Sequence, residues 1–365
     1  MSTLSTRGQS LSTELDKPWQ NVNLGPRGEY DPDTNPLGVV TQFASAENQL
    51  IQREIADFIR SDVSFGHDVL SYKYLSSGSK HFSEALAIHL NQSLNPYTPL
   101  SKDNIAITSS ATAVHEALAF CLMNAGEGIL LSRPHYGQFV RDFGLKAQVK
   151  IVGVEMPLDE CFQPSTISYY ETALEKAEKE GVKIKAVLIV NPHNPLGKCY
   201  PQSTLTALQT FCQRHKLHLI SDEIYALSVF STPDSSSPPF ASVLSLPPIL
   251  PPENLHVIYG MSKSYAIPGL ALGTLLTHST PLLKSLTLIL PFVPASTASL
   301  AIGTALLSNR TFLTSLLATS RARLADAYTY IAAELDKLNV PYVKGVNAGF
   351  FVFVDLSAWM VDGEG

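Results

Sequence analysis

The sequence contains little cysteine, little charge and no excess of basic residues. Its four cysteines lie far apart, with no CxxC spacing, and its 365 residues exclude a disulfide-stapled miniprotein. Lys and Arg number 26 against 32 Asp and Glu, for a net charge of −6. The chain therefore has no general electrostatic attraction to nucleic acid or anionic lipid. We expect a small-molecule partner, no nucleic acid, no metal site and, since no apolar segment opens the chain, a cytoplasmic location.

Long apolar runs are also scarce. The stretch from Ser285 to Asn309 carries no charge and is long enough to cross a bilayer, but Pro291, Pro294 and several Ser and Thr residues interrupt it. We expect a loop followed by a buried helix over 298–307, and no membrane span.

Length and composition favour a folded α/β protein. With 45% hydrophobic residues, the chain is long enough for two unequal domains and is not disordered. Residues 1–35 read as an irregular arm, and the Pro/Ser-rich segment 231–252 as a surface excursion. The predicted strands are IAIT near 105, GILLS near 130, VKIVGV near 151, AVLIV near 188, LHLIS near 219 and LHVIYG near 257. Because helical patterns alternate with them, we predict a mostly parallel sheet with helices on both faces.

Helical spacing also appears at both ends of the chain. Apolar residues recur every three to four positions over 45–59, and Phe82 to Leu90 repeats the pattern. A last helix is predicted over 311–338, followed by the strand-like GFFVFVDL.

Polar motifs follow the predicted strands, where ligands of open α/β sheets bind. They are SSAT at 109–112, RPHY at 133–136, NPHNPLG at 191–197, SDEIY at 221–225 and GMSKS at 260–264, with Pro268-Gly269 five residues after Lys263. Taken singly, each has an ordinary alternative: Thr112 as a helix cap, Tyr136 as a half-buried aromatic, the Asn-Pro pairs as turns.

In this order and spacing, the motifs resemble those of fold-type I pyridoxal phosphate enzymes of the class I/II aminotransferase family. The aminocyclopropane-carboxylate synthase-like branch is the most similar, through AENQ at 46–49, ATA at 111–113, PHYG at 134–137 and RD at 141–142. The resemblance runs from about Asn35 to Leu356. It implies a large cofactor domain with a seven-stranded-type sheet over 36–300, helices of 45–95 contributing to a small domain, a partial small domain over 301–365, and a homodimer.

The resemblance also implies roles for individual residues. Lys263 is the Schiff-base lysine and proton shuttle, and Asp222 pairs with the pyridine nitrogen so that the ring accepts electrons. Asn194 and Tyr225 hydrogen bond the phenolate oxygen, and Tyr136 stacks on the ring.

Other residues are expected at the phosphate end and near the substrate. The expected cofactor contacts there are Ser110, Ala111 and Thr112, which open a helix, and Ser262. Glu47 matches the acidic residue that the branch places near its substrate, although it can equally cap a helix. Either Tyr72 or Tyr74 corresponds to the tyrosine that reaches the partner subunit's phosphate.

The sequence departs from the family pattern in three respects, two single positions and the C-terminal end. A serine three residues before the lysine and an arginine eight residues after it, both phosphate ligands in the family, are Gly260 and Ala271 here. In the family the arginine that binds the substrate carboxylate follows the GFFVFVDL-like strand by several dozen residues. The resemblance therefore implies either that the carboxylate is held otherwise here or that the small domain is truncated. We do not assign that role to Arg310, Arg321 or Arg323, whose helical setting indicates a solvated face.

The predicted function is a pyridoxal phosphate enzyme acting on an amino acid, with aminotransferase-type or carbon–sulfur lyase activity in fungal-type secondary metabolism. Retention of Glu47 leaves aminocyclopropane-carboxylate synthase activity on S-adenosylmethionine as an alternative. The residues at 260 and 271 and the missing tail leave a catalytically weak or non-catalytic homologue as another.

Overall fold

The computed structural model describes residues 3–13, 28, 31, 34–38, 45–232 and 237–359. Contacts divide the chain into two compact units, 1–46 and 47–365. In the first unit, α1 (Thr6–Thr13) is helical, where we expected irregular chain, and Asp31 forms a β-bridge with Asn35. The division into a large and a partial small domain stays a prediction.

A seven-stranded sheet forms the centre of the second unit. Its strands are β1 (Ile105–Thr108), β2 (Gly128–Ser132), β3 (Lys150–Val154), β4 (Ile184–Val190), β5 (His218–Asp222), β6 (Leu255–Gly260) and β7 (Gly273–Thr277). They are ordered β1-β7-β6-β5-β4-β2-β3. Neighbours from β6 to β3 are parallel, and β7 runs antiparallel to β1 and β6. The predicted α/β class is confirmed; β7 had not been singled out.

Helices cover both faces of this sheet. They are α2 (Gln52–Asp62), α3 (Tyr72–Ser93), α4 (Ala111–Leu122), α5 (Phe139–Gly144), α6 (Ile167–Lys179), α7 (Gln202–His215), α8 (Thr280–Ile289), α9 (Thr297–Ser308) and α10 (Arg310–Lys337). Successive strand residues point to opposite faces. Thus Ile129 and Leu131 pack in a core with α4, α5 and α8, while Leu130 packs in a second core with α3, α6, α7 and α9.

The uncharged stretch is more helical than predicted. The helix expected over 298–307 is present as α9, but 285–289, expected as loop, belongs to α8. The Ser279 side chain caps α8, and the hydroxyls of Ser285 and Thr287 bond to carbonyls within the helix, so they do not interrupt it. Among the described residues no single helix is long and apolar enough to span a bilayer; α9 and α10 pass such a test only together, across an 89° bend.

Two further segments differ from expectation. The strand-like GFFVFVDL forms no strand of the sheet; its residue Val354 makes one isolated bridge, with Tyr342. In the Pro/Ser-rich segment, Val243 and Leu244 are buried, so this part is not a surface excursion. Both segments approach the site described next.

Candidate active site

The polar motifs meet at one edge of the sheet. The parallel pairing of β4, β5 and β6 aligns Val190 with Asp222 and Asp222 with Ile258. The motifs that follow these strands therefore emerge side by side. The antiparallel β7 begins at the same edge, where Gly273 pairs with both Thr108 and Gly260.

Lys263 lies in the loop after β6 and is half-buried. Its Nζ is 5.8 Å from the centre of the Tyr225 ring. Burial lowers the pKa of the Lys263 ammonium, and attraction to Asp222 and Glu47 opposes that effect. A lysine whose ammonium is destabilised in this way supplies a neutral, nucleophilic amine more readily than an exposed lysine does.

Asp222 ends β5 and is 5% exposed. Its Oδ1 accepts a hydrogen bond of 3.1 Å from the Ile224 N–H, and its Oδ2 lies 3.3 Å from Nε2 of His115. A carboxylate has about four acceptor positions. Asp222 therefore retains the capacity to accept a hydrogen bond from a protonated ring nitrogen.

Tyr225 is buried beside Asp222. Burial raises the pKa of its phenol, as do the charges of Asp222 and Tyr136, while the hydrogen bond with the Asn194 side chain lowers it. The phenol thus remains protonated at neutral pH and can donate. The ring of Tyr225 meets Phe350 and Phe351 edge-on, at centroid distances of 5.6 and 5.2 Å.

The NPHNPLG loop is joined to the segment that follows α10. Gly197 has a φ of +66°, and its carbonyl accepts hydrogen bonds from the N–H groups of Asn347 and Ala348. A Cβ at this glycine would fall 2.7 Å from a methyl group of Val346. The glycine thereby permits the close approach that brings Phe350 and Phe351 to Tyr225.

The first turn of α4 lies beside the start of β7. Ser110 is the N-cap of α4, and its Oγ accepts from the Ala113 N–H at 3.1 Å. Ala111 and Thr112 follow, with Thr112 exposed. Unpaired amides at such a terminus favour an anion.

The two positions that depart from the family pattern are tightly constrained. A Cβ at Gly260 would lie 2.7 Å from the Leu272 carbonyl oxygen, so a serine does not fit there without rearrangement. Ala271 adopts a left-handed backbone conformation, with a φ of 51°. Ser262 is half-buried in the same loop as Lys263, and no described contact defines its role.

Tyr136 and Glu47 lie at the open side of the site. Tyr136 is 40% exposed, meets Phe139 edge-on at 5.3 Å, and its phenol pKa is raised by burial and by the charges of Asp142 and Asp222. Glu47 is exposed, and the adjacent Asn48 is anchored by a 2.8 Å hydrogen bond to the Ser320 hydroxyl.

The tyrosines at the start of α3 differ in exposure. Tyr72 is 93% exposed, whereas Tyr74 packs against the core and covers Gly78. Among the arginines left unassigned above, Arg323 pairs with Glu54 at 2.7 Å and also donates to the Leu50 carbonyl. Its charge is therefore already engaged outside the site.

Sequence reasoning missed His115. This residue lies on α4 with its side chain 3% exposed, between the carboxylates of Asp142 and Asp222. The available signal was a histidine three residues after Thr112 on a mostly apolar helix. Residues three positions apart lie on the same face of a helix, so His115 lies about one turn beyond Thr112 on that face.

The donors at this edge fit pyridoxal phosphate. A buried carboxylate with free acceptor capacity matches a protonated pyridine nitrogen, and Tyr225 and Asn194 match a phenolate oxygen. The start of α4 supplies amide and hydroxyl donors for a phosphate. The lysine of the neighbouring loop completes the set.

Comparison with known proteins agrees with this geometry. Residues 27–361 match the family model described as aminotransferase class I and II. A probable aminotransferase, sirI, from Leptosphaeria maculans is 35% identical over 93% of this chain and 82% of its own length. The 1-aminocyclopropane-1-carboxylate synthase 2 of Cucurbita pepo is 30% identical over 94% of this chain and 70% of its own.

Solved structures share the fold. Aspartate aminotransferase from Thermus thermophilus, with maleate, superposes with a TM-score of 0.67 over 99% of this chain and 87% of its own, at 16% identity. A pyridoxal phosphate-bound C–S lyase from Staphylococcus hominis gives a TM-score of 0.65 over 86% and 72%, at 18% identity. The resemblance drawn from the motifs is thus confirmed, and the chain belongs to the aminotransferase class I and II family of pyridoxal phosphate-dependent enzymes.

Proposed function

We propose that this enzyme acts on an amino acid with pyridoxal phosphate, which Lys263 would hold as a Schiff base, and that its activity is of the aminotransferase or carbon–sulfur lyase type. The observation that carries the proposal is the convergence of Lys263, Asp222 and Tyr225 at one sheet edge, with the lysine amine facing the Tyr225 ring. The relatives support both outcomes, because one is named an aminotransferase and a structural neighbour a C–S lyase. As a setting we propose fungal-type secondary metabolism, in the cytoplasm.

Each residue has a task in this proposal. The cofactor, when bound, withdraws electrons from the substrate α-carbon. Asp222 would keep the ring nitrogen protonated, Tyr225 and Asn194 would hydrogen bond the phenolate oxygen, and Tyr136 would stack on the ring. Lys263 would hold the cofactor and, with its amine free, would move the proton at the substrate α-carbon.

A donor–acceptor screen tests the proposal. Purified protein with pyridoxal phosphate is incubated with single amino acids, with and without a keto acid, beside Lys263→Ala and the control Lys198→Ala. Amino transfer that needs the keto acid, or release of a sulfur product from an S-substituted cysteine, supports it when Lys263→Ala alone loses activity. Equal turnover by Lys263→Ala contradicts the role of Lys263.

Aminocyclopropane-carboxylate synthase activity is the second candidate. It is favoured by Glu47, whose charge acts on Lys263 from the exposed side of the site. Ring product from S-adenosylmethionine, lost in Glu47→Gln but kept in the neighbouring control Gln49→Glu, would establish it. Absence of this product alongside amino transfer excludes it.

A catalytically weak or non-catalytic homologue is the third candidate, motivated by Gly260 and Ala271. A charge-assisted contact to phosphate contributes about 1.5 to 3 kcal/mol, so its loss weakens cofactor binding by roughly one to two orders of magnitude. Titration with pyridoxal phosphate separates the cases. A protein that forms no visible Schiff-base absorbance band at saturating cofactor does not use pyridoxal phosphate and is the non-catalytic homologue.

We also propose a homodimer in which Tyr72 reaches the partner's site. The support is its 93% exposure, whereas Tyr74 is engaged in its own core. Sedimentation at micromolar concentration tests the assembly, since a monomer at all concentrations contradicts it.

A further inference from the structure

The most unusual buried group near the site is the triad of Asp142, His115 and Asp222. Nδ1 of His115 lies 2.9 Å from Oδ2 of Asp142, and Nε2 lies 3.3 Å from Oδ2 of Asp222. The side chains are only 3, 7 and 6% exposed, respectively, for His115, Asp142 and Asp222. One imidazole thus bridges two buried carboxylates that come from different elements.

The protonation state of this histidine follows from its surroundings. Burial alone lowers the pKa of His115, but the hydrogen bond to Asp142 and the attraction to the carboxylates of Asp142 and Asp222 outweigh it and raise the pKa to about 9. The other titratable groups that face the triad are Tyr136, whose phenol pKa is raised, and, on the Asp222 side, Tyr225 and Lys263. The rings of Phe139 and Phe143 pack against the imidazole, at centroid distances of 5.1 and 5.3 Å.

Alternating charge explains why such a group is placed here. Two buried carboxylates without a cation between them repel each other, and each is poorly solvated. An imidazolium between them gives the order negative, positive, negative along the triad. A protonated ring nitrogen beyond Asp222 extends this order by one positive charge and makes the row neutral.

We propose that His115, charged by Asp142, is a positioning residue that orients Asp222 and shares its negative charge with the cofactor nitrogen. The inference rests on the proposed function, because Asp222 serves the cofactor there. The Ile224 N–H donates to Oδ1 of Asp222, and Nε2 of His115 lies at an ion-pair distance of 3.3 Å from Oδ2, so the two contacts together orient the carboxylate. Asp142 also accepts a hydrogen bond of 3.4 Å from the Thr112 hydroxyl, and its link to Asp222 runs through His115.

Nuclear magnetic resonance of the cofactor-free protein gives the first test. With ¹⁵N-labelled histidine, His115 should remain an imidazolium at pH 8 in the wild type. In Asp142→Asn its midpoint should fall by at least one pH unit. A His115 that is neutral at pH 7 in the wild type overturns the inference without affecting the proposed function, because this measurement uses no cofactor.

A double-mutant cycle gives the second test. Asp142→Asn and His115→Asn should each lower kcat about tenfold, with KM changed less than threefold, and the double variant should be no worse than His115→Asn alone. His218→Asn, at the opposite end of the sheet, is the control for losing a partly buried histidine and should retain wild-type kcat. Additive losses in the double variant overturn the relay through His115. If the wild type shows no activity but His115 titrates as predicted above, the proposed function is contradicted and the inference about His115 is not.

Discussion

Gly273 lies directly against the Ser110 backbone, and no side chain fits between them. A Cβ added at Gly273 would fall far inside van der Waals distance of the Ser110 carbonyl group and the Ala111 nitrogen. The start of β7 and the start of α4 are therefore in contact at the proposed phosphate end. Any side chain at position 273 displaces the first turn of α4.

The first prediction follows from this contact. Gly273→Ala should lower the free energy of unfolding by about 1 to 3 kcal/mol and weaken pyridoxal phosphate binding, because overpacking moves Ser110. Thermal denaturation and cofactor titration check it. Gly269→Ala is the matched control, since no heavy atom within 4 Å would meet its Cβ. Equal behaviour of the two variants contradicts the prediction.

The second prediction restores a cation to the phosphate end. Ala271→Arg should tighten pyridoxal phosphate binding about tenfold, as a charge-assisted contact provides. Ala271→Gln is the control, because its long side chain meets the same left-handed backbone constraint but carries no charge. Absorbance titration gives the cofactor dissociation constant of each variant. That of Ala271→Arg should be lower than the wild-type value, and that of Ala271→Gln should equal it. A dissociation constant unchanged by arginine would show that position 271 does not face the phosphate.

The third prediction concerns Glu223, which is fully buried next to Asp222. Its Oε1 accepts from the Val243 N–H and the Ser221 hydroxyl, and burial raises its pKa to about 7. The folded state therefore keeps this proton when the unfolded chain has lost it. Between pH 4.5 and 7 the stability contributed at this site should fall as pH rises, by about 3 kcal/mol.

Glu223→Gln tests this dependence. Denaturant unfolding at pH 4.5 and 7 should show a smaller loss of stability on going to pH 7 in the glutamine variant than in the wild type. Glu175→Gln, exposed on α6, should behave as the wild type. An identical pH dependence of unfolding in all three proteins would show that ionising Glu223 does not destabilise the folded state, and would contradict the prediction.

The fourth prediction distinguishes the two tyrosines of α3. Tyr72→Phe should weaken cofactor binding several-fold without changing the melting temperature, because its exposed hydroxyl is proposed to act across the dimer. Tyr74→Phe should leave cofactor binding intact, since its ring packs within its own subunit. Cofactor titration and a melting curve of each variant decide between them. A stronger effect of Tyr74→Phe reverses the assignment.

Much of the site could be predicted because it depends on local sequence. Strands such as AVLIV and LHLIS carry their polar residues directly after their carboxyl ends, and parallel pairing brings these ends together. This reasoning located Asp222, Asn194 and Lys263 at the same edge. It needed no knowledge of side-chain packing.

The remaining features depend on contacts between distant parts of the chain. His115 resembles any polar residue on a helix until α5 brings Asp142 to it and β5 brings Asp222. The short β7 was missed because GTLLT is a brief run that starts with glycine and pairs antiparallel. The aromatic contacts of Tyr225 with Phe350 and Phe351 require the chain to return after more than a hundred residues.

The central claim is that Lys263 binds the cofactor covalently. Borohydride reduction of the protein with pyridoxal phosphate, followed by peptide mass spectrometry, tests it most directly. Lys198 is the internal comparison, since burial lowers its pKa as well. We predict a phosphopyridoxyl adduct on the peptide that contains Lys263 and none on the peptide that contains Lys198; an adduct confined to other lysines, or no adduct at saturating cofactor, would contradict the account.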